Sequence, residues 1–142
     1  MINETTIKIH KLDEKAVIPS YGTDFSAGAD LYAMLDGETI EIAPAETRLI
    51  HTGISMEIPE GLVGLVYARS GLASKRSLAP ANKVGVIDSD YRGEVMVALH
   101  NHSTAPQTIS NRERIAQIVK QNSAPLNHNE IEISGYRDAL NL

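Results

Sequence analysis

The residues of this sequence best suited to chemistry include an arginine, a serine and a glycine in succession, Arg69-Ser70-Gly71. Arginine presents a planar set of donors to a phosphate group, and serine adds a hydroxyl. Glycine lets a ligand approach the backbone closely, and free N–H groups at the start of a helix favour an anion. The tripeptide therefore predicts a phosphate-binding corner, with a serine helix cap beside a surface arginine as the structural alternative.

A second cluster, residues 85–94, joins an apolar strand to a bend that carries two aspartates and a tyrosine. A hairpin-like turn alone accounts for Asp88, Ser89 and Asp90, since these residue types favour turns. It does not account for Tyr91 followed by Arg-Gly at the tip. The cluster therefore provides a carboxylate that could activate water.

A third cluster places Asp30 after small residues, in the segment 27–33. An isolated aspartate is more often a turn or capping residue, which is the structural alternative here. Together, the three clusters supply a carboxylate near a metal, a phosphate clamp and a carboxylate for water activation. That is a minimal set for metal-assisted hydrolysis of a nucleotide phosphate.

Short β-type runs surround these clusters and must position them. The runs either alternate polar and apolar residues or are rich in β-branched residues. They are residues 6–10, 38–42, 62–67, 84–87, 95–99 and 114–119. One short helix is expected to begin near Ser70, with Lys75 and Arg76 on its surface. Many short strands separated by turn residues predict an all-β sandwich or barrel.

Length and composition indicate one domain, residues 1–142, with enough apolar side chains (42%) to form a core. The chain has no cysteine, which excludes a disulfide framework and a thiolate zinc site. The sequence shows neither a basic and then apolar leader nor an apolar run of about 20 residues. We therefore expect a cytoplasmic protein that does not interact with membranes.

The charge distribution argues against nucleic acid as a partner. The net charge is −5, and phosphate neutralisation along a nucleic acid needs clustered lysine and arginine. The charge is nonetheless uneven, because residues 1–68 carry a balance of −7 and residues 69–114 a balance of +3. A cationic centre of this size suits a small polyanion, and random clustering on a solvated surface is the alternative.

Four segments resemble, in order, motifs of the trimeric dUTPase family. They are residues 27–33, 69–73, 82–93 and 114–117. The string Gly-Val-Ile-Asp-x-Asp-Tyr-Arg-Gly is highly specific, whereas each short motif alone is weak. The resemblance implies a jelly-roll-like all-β barrel with one short helix, assembled as a homotrimer with active sites at the subunit interfaces. It also implies Mg²⁺-dependent hydrolysis of dUTP to dUMP and pyrophosphate, which limits uracil incorporation into DNA and supplies dUMP for dTMP synthesis.

The resemblance implies a role for each site residue. Asp88 would be the general base that deprotonates the attacking water, a contribution of roughly 10²–10⁴-fold in rate. Tyr91 would pack under the deoxyribose, and Asp30 would touch the magnesium ion through water. Uracil would be received by Asn82 and by the backbone of Val86, Ile87 and Met96. The phosphate chain would be held by Arg69, Ser70, Gly71 and Gln117.

The sequence departs from the family pattern near its end. From about residue 120 the tail diverges and lacks the glycine-rich fifth motif, and Arg137 is a candidate remnant of the arginine in that motif. Arg112 stands where the fourth motif commonly has glycine. A truncated chain, a tail that closes differently, and a protein that binds better than it hydrolyses all stay open. The alternative functions are a catalytically weakened dUTP-binding or protein-interaction trimer and a related dCTP deaminase.

Overall fold

The structure, a computed structural model, describes residues 5–123, which form twelve strands and one helix. Arg137 and the tail beyond residue 123 lie outside the described residues. The elements are β1 (Lys8–Lys11), β2 (Ser20–Tyr21), β3 (Ala29–Tyr32), β4 (Thr39–Ile42), β5 (Thr47–His51), β6 (Ile54–Glu57), β7 (Leu62–Tyr67), α1 (Ser70–Arg76), β8 (Leu78–Pro80), β9 (Gly85–Ile87), β10 (Met96–Asn101), β11 (Gln107–Ser110) and β12 (Arg114–Asn122).

The strands form four sheets in which every pairing is antiparallel. The largest has the order β2-β3-β12-β7-β9, a second has the order β5-β10-β8, and two pairs are β1-β6 and β11-β4. Most neighbouring strands are distant in sequence, so the chain passes repeatedly from one sheet to another. This is a jelly-roll-like arrangement, and the predicted all-β fold with one short helix is confirmed.

All six predicted strand runs are strands in the structure, and the predicted helix is α1. The sequence pattern does not indicate β2, β3, β5, β6, β8 and β11. Each of these strands has only two to five residues, so its own pattern is weak, and unlike the equally short β1, β4 and β9 it does not lie within a longer alternating or β-branched run.

Aliphatic side chains from all four sheets meet in one core. Its fully buried members are Leu31, Ile42, Ile50, Ile54, Ile58, Leu78, Val97, Leu99, Ile109 and Ile115. The buried Asn101 sits among them with its polar atoms satisfied. Its amide nitrogen donates to the carbonyls of Ile42 and Ala105, and its Oδ1 accepts from the Ser103 N–H. The sheets are thus fixed to one another, which gives the site residues a rigid support.

Helix α1 is held against the turn between β11 and β12. The Arg76 guanidinium donates to the Glu113 carboxylate and to the Thr108 carbonyl, so this side chain does more than cover the helix surface. The helix ends at Ser77, which has a left-handed φ of 53°. No helix in the described part of the chain is long and apolar enough to cross a bilayer.

The turn before β12 explains why glycine suits position 112. Arg112 has φ +65°, and its N–H donates to the Ala33 carbonyl at 2.9 Å, which fixes the turn. A left-handed φ strains a residue with a Cβ atom, whereas glycine adopts it freely.

We expect Arg112→Gly to raise the free energy of unfolding by about 0.5–1 kcal/mol. The relief of backbone strain in the folded state should outweigh the larger conformational entropy that glycine loses on folding. Urea denaturation measures the change. Arg112→Ala is the control and should give no such gain, since alanine keeps the Cβ atom. A glycine variant less stable than the parent would contradict this explanation.

Candidate active site

A cleft of about 270 Å³ opens where β9 and β10 separate. Strand β9 pairs with β7, whereas β10 pairs with β5 and β8. The predicted hairpin-like bend therefore does not join two paired strands. Its two arms belong to different sheets, and the gap between the arms is the cleft.

Six of the residues predicted to contact substrate line this cleft. They are Asn82, Val86, Ile87, Asp88, Tyr91 and Met96. The rest of the lining is mainly apolar and includes Leu49, Val66, Val95 and Val97. An apolar cleft with a few convergent polar groups is the usual form of a small-molecule site.

The bend between β9 and β10 is folded on itself. The Tyr91 N–H donates to the Asp88 carbonyl at 3.1 Å, and the Tyr91 hydroxyl donates to the Glu94 carbonyl at 2.7 Å. The Asp88 side chain is exposed at the cleft, and no hydrogen bond within residues 5–123 involves its carboxylate. Both carboxylate oxygens are therefore available to accept a proton from water.

A second group of predicted residues lies on the largest sheet, around Asp30 of β3. Arg69 Nε donates to Asp30 Oδ1 at 3.0 Å, and Arg114 Nη1 lies 3.8 Å from Asp30 Oδ2. Two guanidinium groups thus flank one carboxylate that is only 15% exposed, which leaves the cluster net positive. The sequence pattern does not indicate Arg114 as a site residue, because only the pairing of β12 with β3 brings it to Asp30.

The phosphate corner is open at the first residues of α1. Arg69 is the N-cap residue and no side chain caps the helix, so the alternative interpretation of Ser70 as a helix cap is wrong. Ser70 is exposed, and a Cβ atom placed on Gly71 would meet nothing within 4 Å. The Ser70 hydroxyl and the backbone at Gly71 are therefore accessible to a ligand.

Gln117 supports this corner from the neighbouring strand. It lies on β12 opposite Tyr67 of β7, and its Nε2 donates to the Ala68 carbonyl at 3.0 Å. A Cβ atom on Gly28 would lie 2.7 Å from Gln117 Oε1. Gly28 therefore leaves the room that the Gln117 side chain needs to hold the residue next to Arg69.

We expect Gly28→Ala to lower the free energy of unfolding by about 1–3 kcal/mol, because the new methyl group overlaps the Gln117 amide. Displacing Gln117 should also raise the KM for a triphosphate substrate. Urea denaturation and steady-state kinetics measure the two effects. Gly37→Ala is the matched control, since a Cβ atom there meets nothing within 4 Å, and it should stay within about 0.5 kcal/mol of the parent. Equal stability of the two variants would contradict the packing role of Gly28.

The two groups lie toward opposite ends of β7. Ile87 pairs with Gly64, so Asp88 follows in the direction of Val63, whereas Arg69 comes two residues after Tyr67 at the other end. A strand rises about 3.3 Å per residue, so the path from Val63 to Tyr67 alone measures roughly 13 Å. Among the described residues, the cleft lining includes none of the corner residues, which are Asp30, Arg69, Ser70, Gly71 and Gln117.

Comparison with known proteins decides the family. A family model described as dUTPase matches residues 14–138. The chain belongs to the dUTPase family. It is 47% identical over 121 residues to the deoxyuridine 5'-triphosphate nucleotidohydrolase of Desulfitobacterium hafniense (strain Y51), which covers 83% of this chain and 80% of that protein. It is 43% identical over 118 residues to the protein of the same name from Mycobacterium tuberculosis (strain ATCC 25177 / H37Ra), covering 82% and 75%.

Solved dUTPase structures share the fold of this dUTPase-family chain. The dUTPase of Staphylococcus bacteriophage 80alpha with dUPNHPP superposes with a TM-score of 0.80 at 26% identity, over 91% of this chain and 89% of the phage chain. A point variant of the dUTPase from phage phi11 of S. aureus superposes with a TM-score of 0.79 at 26% identity, over 90% and 97%. The latter structure is described as revealing the coordination of a structural Mg(II) ion.

The residues of this dUTPase-family chain fit a magnesium ion that the substrate brings with it. No group of three or more histidine, aspartate or glutamate side chains within residues 5–123 could hold a metal ion. The Asp30 carboxylate already contacts two guanidinium groups, so it is not free for direct coordination of a metal ion. Mg²⁺ keeps several of its waters and is commonly bound through substrate phosphates, which is compatible with these residues.

Glu94 is a cleft residue that closes the predicted cluster 85–94, but its sequence position indicates no role for it. Its Oε1 lies 2.9 Å from His51 Nδ1, and its Oε2 accepts from the Gly53 N–H at 2.9 Å. Its partners are more than forty positions away in the sequence, so no local spacing indicates the contact. The available signal is its place immediately after the specific string that ends in Gly93.

Proposed function

We propose that this dUTPase-family chain hydrolyses dUTP to dUMP and pyrophosphate, and so limits uracil incorporation into DNA and supplies dUMP for dTMP synthesis. The observation that carries the proposal is the cleft in which Asp88, Asn82 and Tyr91 meet among apolar walls. Relatives that carry the name deoxyuridine 5'-triphosphate nucleotidohydrolase, and a solved dUTPase with dUPNHPP, support the same reaction.

Uracil is received between β9 and β10. Strand β9 is an edge strand that pairs only with β7 among the described residues, so the backbone groups on its outer side have no strand partner, and Val86 and Ile87 both line the cleft. Met96 begins β10 and pairs with His51 alone. Unpaired backbone donors and acceptors, with the Asn82 amide, can match the edge of uracil. They disfavour cytosine, because a mismatched base buries polar groups without partners.

Tyr91 provides the surface under the sugar. Its ring is 41% exposed at the cleft and is held by its hydroxyl on the Glu94 carbonyl. A deoxyribose packs against such a ring, whereas a 2'-hydroxyl would meet an apolar face without a hydrogen-bond partner. The nucleotide is thereby selected at its sugar as well as at its base.

Asp88 acts as the general base. It takes a proton from water, the water oxygen bonds to the α-phosphorus, and the bond from that phosphorus to the bridging oxygen breaks. The products are dUMP and pyrophosphate, and the proton rests on the Asp88 carboxyl. The unengaged carboxylate at the mouth of the cleft supports this assignment.

The phosphate chain is held by Arg69, Ser70 and Gly71, with Gln117 positioning the corner. Bound magnesium would supply charge neutralisation on the triphosphate, and Asp30 would contact its water shell. Asp30 also orients Arg69 through the 3.0 Å ion pair, which keeps the guanidinium in place before the anion arrives.

The assembly that we propose is a homotrimer with sites between subunits, and the separation along β7 supports it. The base and the phosphate corner lie toward opposite ends of one strand, so a nucleotide that reaches both is best served by the cleft of one chain and the corner of another. The cytoplasmic location and the organisation of residues 1–142 as one domain stay predictions from the sequence.

Pyrophosphate release from dUTP, dTTP, dCTP and UTP in parallel, with Mg²⁺ and with excess chelator, tests the proposal. We expect release from dUTP in strong preference to the others, and its loss when the metal is removed. Binding of dUTP without hydrolysis would favour the catalytically weakened trimer. Ammonia release from dCTP would favour the deaminase, and either outcome would overturn the proposed reaction.

A further inference from the structure

The bend that carries Asp88 and Tyr91 is hydrogen-bonded to the rest of the molecule at its C-terminal end, at Glu94 and Val95. Beyond its internal hydrogen bonds, the anchoring contacts begin at Glu94 and Val95. The Thr52 hydroxyl donates to the Val95 carbonyl, and the Val95 N–H donates to the Ile54 carbonyl at 2.8 Å. These contacts fix the last residues of the bend to the turn between β5 and β6.

The Glu94 side chain adds two further contacts to the same turn. One oxygen pairs with His51 Nδ1 and the other accepts from the Gly53 N–H, each at 2.9 Å. The carboxylate side chain is only 20% exposed, although it also lines the cleft. A bidentate carboxylate of this kind fixes both the position and the rotation of its own backbone.

The Glu94 backbone also holds the Tyr91 side chain in place. The acceptor of the Tyr91 hydroxyl is the Glu94 carbonyl, at 2.7 Å, and the tyrosine ring folds over Gly93. A Cβ atom on Gly93 would lie 2.6 Å from the hydroxyl oxygen and 2.8 Å from Cζ. The ring is therefore held at its hydroxyl by the Glu94 carbonyl, and it leaves no room for a side chain at Gly93.

We propose that Glu94 is a positioning residue that sets the discrimination between deoxyribose and ribose by fixing the Tyr91 ring. The proposal rests on the proposed function, because it concerns how the same nucleotide site selects its sugar. The ring excludes a 2'-hydroxyl only while it stays close to the sugar. The Val95 N–H on the Ile54 carbonyl restrains the Glu94 peptide at one end, and the Glu94 carboxylate restrains its Cα at the other. Releasing the carboxylate leaves one of these two restraints, so the carbonyl and the ring that donates to it become less closely fixed.

The test measures the dissociation constants of dUMP and UMP by calorimetry, because neither ligand requires turnover. We expect the parent chain to favour dUMP and Glu94→Ala to reduce that preference about tenfold. Glu94→Gln should keep the preference within about twofold, since its amide oxygen can accept from the Gly53 N–H and its nitrogen can donate to a ring nitrogen of His51. Gly93→Ala displaces the same ring by direct overlap and should reduce the preference as well.

Glu46→Ala is the matched control. The Glu46 carboxylate also accepts a backbone N–H, that of Ala43 at 2.8 Å, but it lies outside the cleft lining and makes no hydrogen bond to the bend within the described residues, so the preference for dUMP should not change. Parent preference retained in a folded Glu94→Ala chain would overturn the proposal, as would an equal loss in Glu94→Gln. If Glu94→Ala does not fold, Gly93→Ala decides, and an unchanged preference there overturns it.

Measuring pyrophosphate release by the parent chain distinguishes a failure of this proposal from a failure of the proposed function. A parent that binds dUMP over UMP and responds to the variants as expected, but does not hydrolyse dUTP, supports the role of Glu94 and refutes the reaction. A parent that binds neither nucleotide refutes both.

Discussion

Asp88→Asn is expected to lower kcat for dUTP hydrolysis by about 10²–10⁴-fold while the affinity for dUTP stays within a few fold. Asparagine has nearly the same shape as aspartate but cannot accept a proton from water at neutral pH. The Asp88 side chain makes no hydrogen bond within residues 5–123, so its replacement leaves no buried group without a partner. Steady-state kinetics and calorimetry with a non-hydrolysable dUTP analogue measure the two quantities.

Asp90→Asn is the control for this prediction. Asp90 lies in the same exposed bend, two residues from Asp88, but it does not line the cleft. Its replacement changes the net charge equally and should leave kcat within about twofold. If Asp88→Asn kept the parent kcat, or if both variants lost it alike, Asp88 would not be the base.

Two inactive variants are expected to regain activity when their subunits are mixed. Asp88→Asn removes the proposed base and Arg69→Ala removes the proposed phosphate-binding guanidinium, so each variant alone should be nearly inactive. If the base and the corner of one site come from different chains, random mixing leaves about one quarter of the sites with both parent residues. The mixture should therefore show roughly a quarter of the parent activity after denaturation and refolding together.

Asp88→Asn mixed with Asn82→Ala is the matched control. Both residues line the cleft of a single chain, and every chain in this mixture carries one of the two substitutions. No arrangement of subunits therefore gives a cleft with both parent residues. This mixture should stay inactive. Recovery in the control, or no recovery with Arg69→Ala although the subunits exchange, would show that the site is not divided between chains as proposed.

The candidate site residues are indicated by local sequence, and the type of fold that supports them can be predicted from it. Residues 85–93 form a string too specific to arise by chance, and its turn residues and tyrosine are enough to indicate a site. The longer β-branched runs, such as Leu62–Tyr67, indicate their strands because side-chain alternation and β-branching are local properties.

The grouping of these residues depends instead on tertiary structure. Asp30 meets Arg69 and Arg114 across 39 and 84 positions, and Glu94 meets Gly53 across 41, because strand pairing and not local pattern brings them together. The separation of β9 and β10 into different sheets, which creates the cleft, has the same origin. Local sequence sets the conformation of short segments, whereas which strand pairs with which is set by burial of the whole core.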